Sequence, residues 1–340
     1  MASLPRTFSR VRRRGPVAAP GRLRRTLLAA AVTTAVALPI VGASRPAEVP
    51  APVPAAVAPL RAAEPGRLRA ELEARYAAER VALGEAGRTA EEYGARRRAV
   101  SLRGMAGEGR RFLEFDGRDG GRSVEVVGDL ARAERIAVLV PGADTGLDSY
   151  GRFRAGAVAL QRTLTKELGA RAAVVAWLGY RTPATGSAAS LTPGRADQAA
   201  PRLRAFVEEL ARLRPGARIT LLGHSYGSVV CARAAAGLPA AAVVLYGSPG
   251  TGADRVADLR TGATVWAGRG ADDWVGGIPH VRLPLLAGSE LGFGTDPMDP
   301  AFGARRFAAG DGGHSDYLAP GSVSLRNLAL IVDGQEPARA

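Results

Sequence analysis

Residues 218–236 constrain this chain more than any other stretch. Ile219 to Leu222 are apolar and partly β-branched, the pattern of a short buried strand, and Ser228 to Ala236 are small residues that read as a helix. Between them stands Gly223-His224-Ser225-Tyr226-Gly227, a Gly-x-Ser-x-Gly match. A strand that enters a helix across so short a turn brings two backbones together, and glycine at both flanks removes the Cβ atoms that would collide. Ser225 is expected at the apex, strained, with Oγ exposed above the helix N-terminus. In a chain with 43 glycines the bare match means little. The strand before it and the helix after it give it weight.

With 340 residues, 46% of them apolar and 23% charged, the chain has material for one large α/β domain with extensions. A formal charge of +14 ordinarily raises nucleic acid as a partner, but its distribution argues otherwise. Residues 1–26 hold eight Arg and no acidic residue, and Lys166 is the only lysine. No Arg-aromatic interleaving offers base stacking, so no nucleic-acid partner is expected. The single cysteine, Cys231, excludes an internal disulfide and falls among Val and Ala as a small core residue. Three histidines and one cysteine leave little for a metal site, and no cofactor is expected: neither a Gly-x-Gly-x-x-Gly after the first buried strand nor a P-loop is present.

The Arg-rich start runs into Leu27–Gly42, sixteen residues of mainly apolar character, and Val41-Gly42-Ala43 suits cleavage after Ala43. As a helix that run rises about 24 Å, short of the ~30 Å hydrocarbon core. Basic, apolar, then small is an export-signal pattern over 1–43, with an uncleaved signal anchor as the alternative. Arg24-Arg25 resembles the twin-arginine signature. The protein is therefore expected to be secreted or held at the cell surface, touching membrane only through this segment. Residues 44–66 carry six prolines and read as an extended linker. Residues 67–104 turn helical and charged, with Leu68, Leu72 and Tyr76 at four-residue spacing. Gly84, Gly87 and Gly94 argue there against one continuous rod.

The body, 105–335, opens on a hairpin, 111–116 and 123–127, around Gly117 to Gly121. Near-continuous apolar strands follow at 135–140, 172–177, 219–222, 241–246 and 263–267, with a short one at 306–309. Helices are expected at 152–168, 195–213, 228–236 and 323–332. Apolar strands alternating with helices predict a mostly parallel sheet flanked by helices, with its site at the strands' carboxyl ends.

Ser225 needs a base. His224 adjoins it, and its side chain is expected to diverge from Oγ and pack behind the turn. His280, among Pro279, Val281 and Arg282, reads as a surface or substrate-contacting residue. His314, in Asp311-Gly312-Gly313-His314-Ser315-Asp316-Tyr317, follows the last strand and is the expected base. The base in turn needs a carboxylate to fix its tautomer. Asp273, in Asp272-Asp273-Trp274-Val275, is preferred for the apolar pair after it, with Asp272 as the alternative; Asp296 and Asp299 read as loop-shaping Asp-Pro turns. An oxyanion would take one backbone N–H from Tyr226 and another from the Pro141-Gly142-Ala143-Asp144 turn, at Ala143 with Asp144 second.

Val-Leu-Val-Pro-Gly (138–142), Gly-His-Ser-Tyr-Gly (223–227), Asp-Asp-Trp-Val (272–275) and Gly-His-Ser-Asp-Tyr (313–317) fall in one order. Together they resemble the α/β-hydrolase superfamily, and more softly a largely uncharacterised actinobacterial branch of it. The resemblance implies the α/β-hydrolase fold, the chain order Ser, acid, His, and serine-dependent hydrolysis of an ester or related acyl bond in a small-molecule acyl substrate. The long apolar lid of true lipases has no counterpart here, which argues against long-chain lipids. A peptidase or amidase on the same residues, and a non-catalytic cell-surface module, are the alternatives.

Overall fold

Strands buried on both faces show no polar alternation, and here they pair into one eight-stranded sheet. A computed structural model describes residues 49–54, 57–61, 64–284 and 290–340. The expected export signal, 1–43, and the first part of the linker lie outside the described residues. The strands are β1 (Phe112–Asp116), β2 (Arg122–Gly128), β3 (Arg135–Val140), β4 (Ala172–Leu178), β5 (Arg218–His224), β6 (Ala242–Tyr246), β7 (Thr264–Gly268), β8 (Arg282–Pro284), β9 (Glu290–Gly292) and β10 (Arg305–Arg306). The main sheet runs β1-β2-β4-β3-β5-β6-β7-β10, while β8 and β9 form a separate antiparallel hairpin. β1, β2 and β4 pair antiparallel; from β4 onward through β3, β5, β6, β7 and β10 the pairing is parallel.

The strand period of two sorts the core into layers. Ile136, Val138 and Val140 of β3 face one layer, with Leu203 and Val207 of α4 (Gly194–Leu213) and Val229 and Val230 of α5 (Tyr226–Ala234). For numbering, α1 is Pro65–Glu92, α2 is Arg96–Met105 and α3 is Tyr150–Arg162. Ala137 and Leu139 face the other layer, with Leu160 of α3 and Leu325, Leu328 and Ile331 of α6 (Val323–Asp333). The strand order turns back at β3, with β4 on one side and β5 on the other. Such a reversal opens a crevice at the carboxyl ends of the strands.

α1 differs from expectation. It runs unbroken through Gly84 and Gly87, and the chain turns only at Gly94 (φ 79°). A helical glycine costs only about 1 kcal/mol relative to alanine, and α1 gains more by burying Leu68, Leu72 and Tyr76 in one layer and Leu83, Ala86 and Ala90 in the other. It thereby wraps the β1 edge, which would otherwise present unpaired backbone. It also begins inside the expected linker: Glu64 caps it by accepting from the Gly66 and Arg67 amides (3.0 and 2.8 Å), and Leu60 is already buried. A leucine with a core to enter is not held in an extended linker.

Elsewhere the differences are local. α3 ends at Arg162 and continues as one wider π turn, Thr163–Glu167. The last strand is two residues, because Phe307 turns into the core and the chain bends away at Gly310 (φ 72°). The β8–β9 hairpin had no sequence signal: its strands are three residues each, β8 exposed and ending in Pro284, β9 half-buried. Among the described residues no helix is long and apolar enough to cross a membrane.

Candidate active site

Close approach of backbones builds the turn at Ser225. A Cβ on Gly223 would lie 2.7 Å from the Gly227 carbonyl oxygen, and one on Gly227 would lie 2.3 Å from that of Val140. No side chain fits at either position. Ser225 itself takes φ 51°, ψ −126°, a conformation that costs an L-residue roughly 1–3 kcal/mol. The surroundings hold it there. Its amide donates to the Tyr246 carbonyl (3.0 Å), and its own carbonyl accepts from the Ser228 amide (2.9 Å) and the Ser228 hydroxyl (2.5 Å). Ser228 Oγ lies 2.7 Å from Ser248 Oγ, so the bracket is fully buried and bonded.

The turn after β3 presses on the same serine. A Cβ on Gly142 would sit 2.7 Å from Ser225 Cβ and 3.3 Å from Oγ. The Asp144 amide is committed to the Pro183 carbonyl (3.0 Å), and its carboxylate accepts from the Thr185 amide (3.0 Å). Asp144, the second choice for an oxyanion donor, is therefore occupied, and Ala143 is the remaining amide of that pair. Tyr226 is the first residue of α5, where helical geometry leaves the N–H without an intrahelical partner. Its side chain is anchored away from the turn, donating to the Thr192 carbonyl (2.8 Å) and accepting from the Ala196 amide (3.1 Å).

Beyond β7 the chain brings Asp273 and His314 together. Asp273, with its side chain fully buried, caps the turn Trp274–Gly277 by accepting from the Val275 amide (2.9 Å). His314 Nδ1 lies 2.9 and 3.0 Å from the two carboxylate oxygens, and the Tyr317 hydroxyl donates to Oδ2. Tyr317 in turn accepts from the Gly270 amide (3.1 Å). Burial raises the Asp273 carboxyl, but the hydrogen bonds from His314, Tyr317 and Val275 outweigh it and hold the group at about 2. An ionised carboxylate only accepts, so His314 Nδ1 carries a proton, and in the neutral form of the ring it is Nε2 that presents the lone pair. Asp272, by contrast, is exposed and makes no bond to His314. Of the two aspartates, Asp273 is the one in contact.

His224 links the two halves. Its Nε2 lies 2.8 Å from the His314 carbonyl oxygen, which only accepts, so the ring carries its proton there. Removal from water lowers its pKa to about 4, as does the neighbouring His314, and the ring stays neutral above that. The ring lies 4.7 Å from that of His314 and 5.1 Å from that of Tyr246. It packs behind the turn, as its place in the sequence predicts, and braces the His314 loop across ninety residues. Among the described residues no hydrogen bond joins Ser225 Oγ to His314. Contacts of this kind are commonly long until a substrate engages them.

The remaining candidates fall outside this cluster. His280 Nε2 stands 3.7 Å from Asp296, whose carboxylate is gripped by Arg269 (2.8 and 2.5 Å). Asp296 and Asp299 shape their loops through the Met298 and Ala301 amides (2.9 and 2.8 Å). Cys231 is buried and its thiol is pushed well above the usual range by burial. Among the described residues no three His, Cys, Asp or Glu side chains form a set able to hold a metal ion. Sequence reasoning missed the parts played by Tyr317 and the His224 ring. Both stand inside quoted motifs, but only the fold shows what their polar ends reach.

Residues 116–283 match a protein-family profile described as alpha/beta hydrolase. The uncharacterised protein Rv2079 of Mycobacterium tuberculosis is 31% identical over 264 residues, covering 67% of this chain and 39% of that protein. A second uncharacterised M. tuberculosis protein, Rv0963c, is 38% identical over 136 residues, 37% of this chain and 51% of its own length. The chain thus spans about two fifths and about half of these relatives. Among solved structures, an a/b serine hydrolase without lid from Xanthomonas campestris shares 20% identity over 66% of this chain and 94% of its own, with a TM-score of 0.39. The esterase LipW from Mycobacterium marinum shares 15% identity over 74% and 88%, with a TM-score of 0.39. With its matched segment spanning the sheet from the end of β1 through β7 and the turn at Ser225, the chain belongs to the α/β-hydrolase superfamily.

Proposed function

We propose that this protein is an exported serine hydrolase that cleaves an ester, or a related acyl bond, of a small-molecule acyl substrate through Ser225, His314 and Asp273. The observation that carries the proposal is the fixed tautomer of His314. Its Nδ1–H is committed to a buried, ionised Asp273, which in the neutral ring leaves Nε2 as the proton acceptor for the half-buried Ser225. In this mechanism Nε2 takes the Ser225 hydroxyl proton as Oγ bonds to the acyl carbon, and the carbonyl electrons move onto oxygen. That oxyanion lies toward the Tyr226 and Ala143 amides. The bond to the leaving oxygen then breaks, and His314 returns the proton to that oxygen. Water repeats the sequence: His314 removes its proton, hydroxide adds to the acyl-enzyme, and Ser225 leaves as the restored hydroxyl. The basic-then-apolar leader supports export.

Full-length protein assayed on p-nitrophenyl esters of graded acyl length, beside matched anilides, tests the proposal. The expected result is ester turnover that exceeds anilide turnover and drops by about 10⁴-fold or more in Ser225→Ala. Ester turnover that survives Ser225→Ala, or anilide turnover alone, contradicts it.

A further inference from the structure

We infer that Trp274 is the wall of the leaving-group site and selects esters of aromatic or other flat, apolar alcohols. This rests on the hydrolase mechanism proposed above. Trp274 follows the buried Asp273 directly, and the cap from Asp273 to the Val275 amide fixes the short turn that begins with it. Val275 points into the core, whereas Trp274 is 57% exposed. An indole left in water gives up the stabilisation of a large apolar surface. Here it does so beside the imidazole, with ring centroids 4.8 Å apart and planes inclined at 51°.

The two rings against His314 are not alike. One is the partly buried His224 ring at 4.7 Å, itself packed on Tyr317 at 5.7 Å. The other is the exposed indole. The leaving oxygen must come within hydrogen-bond reach of His314 Nε2, about 3 Å, to be protonated. A ring whose centroid is under 5 Å from that imidazole is then in van der Waals reach of whatever the leaving oxygen carries. The acyl oxygen faces the other way. Of its candidate donors, Tyr226 directly follows Ser225 at the end of β5 and Ala143 follows β3, while Trp274 follows β7, so the sheet order β3-β5-β6-β7 sets Ala143 and Trp274 on opposite sides of Ser225. Trp274 is therefore assigned to the alcohol side of the ester, beside the group that protonates the leaving oxygen.

Two substrate series separate these roles. In the first, acetyl is constant and the alcohol is benzyl or ethyl, two groups of similar acidity that differ in the ring. In the second, p-nitrophenol is constant and the acyl chain lengthens. The ratio of kcat/KM for benzyl over ethyl acetate is expected to fall about 10-fold in Trp274→Ala, the loss of one aromatic contact, and to be largely kept in Trp274→Phe. The dependence on acyl length is expected to keep its slope in both variants. A benzyl-to-ethyl ratio unchanged in Trp274→Ala, with both esters slowed alike, reduces Trp274 to a support for His314 and overturns the inference. So does a change in the acyl series with no change in the alcohol series. Failure of the unaltered enzyme to turn over any of these esters overturns the hydrolase mechanism itself, and the wall with it.

Discussion

The flank of the sheet at β1 and the rim at the carboxyl ends of β5 and β7 are held by different physics. At the flank, α1 lays Leu68, Leu72 and Leu83 across the edge, and the buried Glu125 carboxylate is gripped by Arg110 (2.5 and 2.8 Å) and Arg154 (3.0 Å). Cohesion there comes mainly from side chains, with left-handed backbone confined to the turns and strand ends, as at Asp119 (φ 52°) and Gly121 (φ 89°). At the rim it comes from close-packed backbone, glycines with no room for a Cβ and a serine at positive φ, held by polar ties from the Ser228, Tyr317 and His224 side chains. The difference teaches where each kind of change should register. Substitutions at the flank should cost stability in proportion to the area lost, while substitutions at the rim should cost chemistry out of proportion to their size.

The sharpest test of that contrast pairs the smallest change with the largest effect. Ser225→Ala removes one oxygen, yet kcat for esters is expected to fall by about 10⁴-fold or more, with Tm unlowered. Equal loss of both would break the contrast. At the flank, Leu83→Ala should lower unfolding free energy by about 2–5 kcal/mol in denaturant titration, with kcat per folded molecule unchanged. Loss of activity in excess of unfolding would show the flank coupled to the rim.

Tyr317→Phe lies between these. Asp273 keeps its burial and loses a donor, so stability at neutral pH should fall by about 1.5–3 kcal/mol. The carboxyl is held at about 2, below its unfolded value near 4, so it stabilises the fold above pH ~4 and that contribution is lost as pH falls through about 2. Without the phenol the folded value rises, and acid unfolding should begin at higher pH.

The smallest effect expected is at His224. Its folded pKa, about 4, lies below the usual value near 6.5, so the unfolded chain binds the proton first. Stability should be full above pH ~6.5 and decline toward pH ~4, by a contribution on the order of 2 kcal/mol once partial exposure is discounted. His224→Asn, which keeps a donor for the His314 carbonyl, should flatten that slope in calorimetry at pH 4.5 and 7.5. An unchanged slope would place the titration elsewhere.

Much of the rim was legible because its demands are local. Gly223, Ser225 and Gly227 announce a turn that only they can make, and apolar runs such as Ile136–Val140 announce strands without partners in view. What stayed hidden depends on contacts far apart in sequence. Asp272 and Asp273 differ by one position, and only the direction in which the turn after β7 winds puts Asp273 inside. Nothing near Tyr317 shows that its hydroxyl reaches a carboxylate forty-four residues away, nor near His224 that its ring braces a carbonyl ninety residues on. At the flank, Gly84 and Gly87 misled because helix propensity is a weak force beside burial of an apolar face. The β8–β9 hairpin is too short and too exposed to leave a pattern.

The central claim is that Ser225 is a nucleophile served by His314, and covalent labelling with a fluorophosphonate, followed by peptide mapping, tests it most directly. The account predicts a single adduct on the peptide carrying Ser225, absent in Ser225→Ala and formed at least about 10³-fold more slowly in His314→Ala. An adduct on another residue, or labelling at an equal rate without His314, would contradict it.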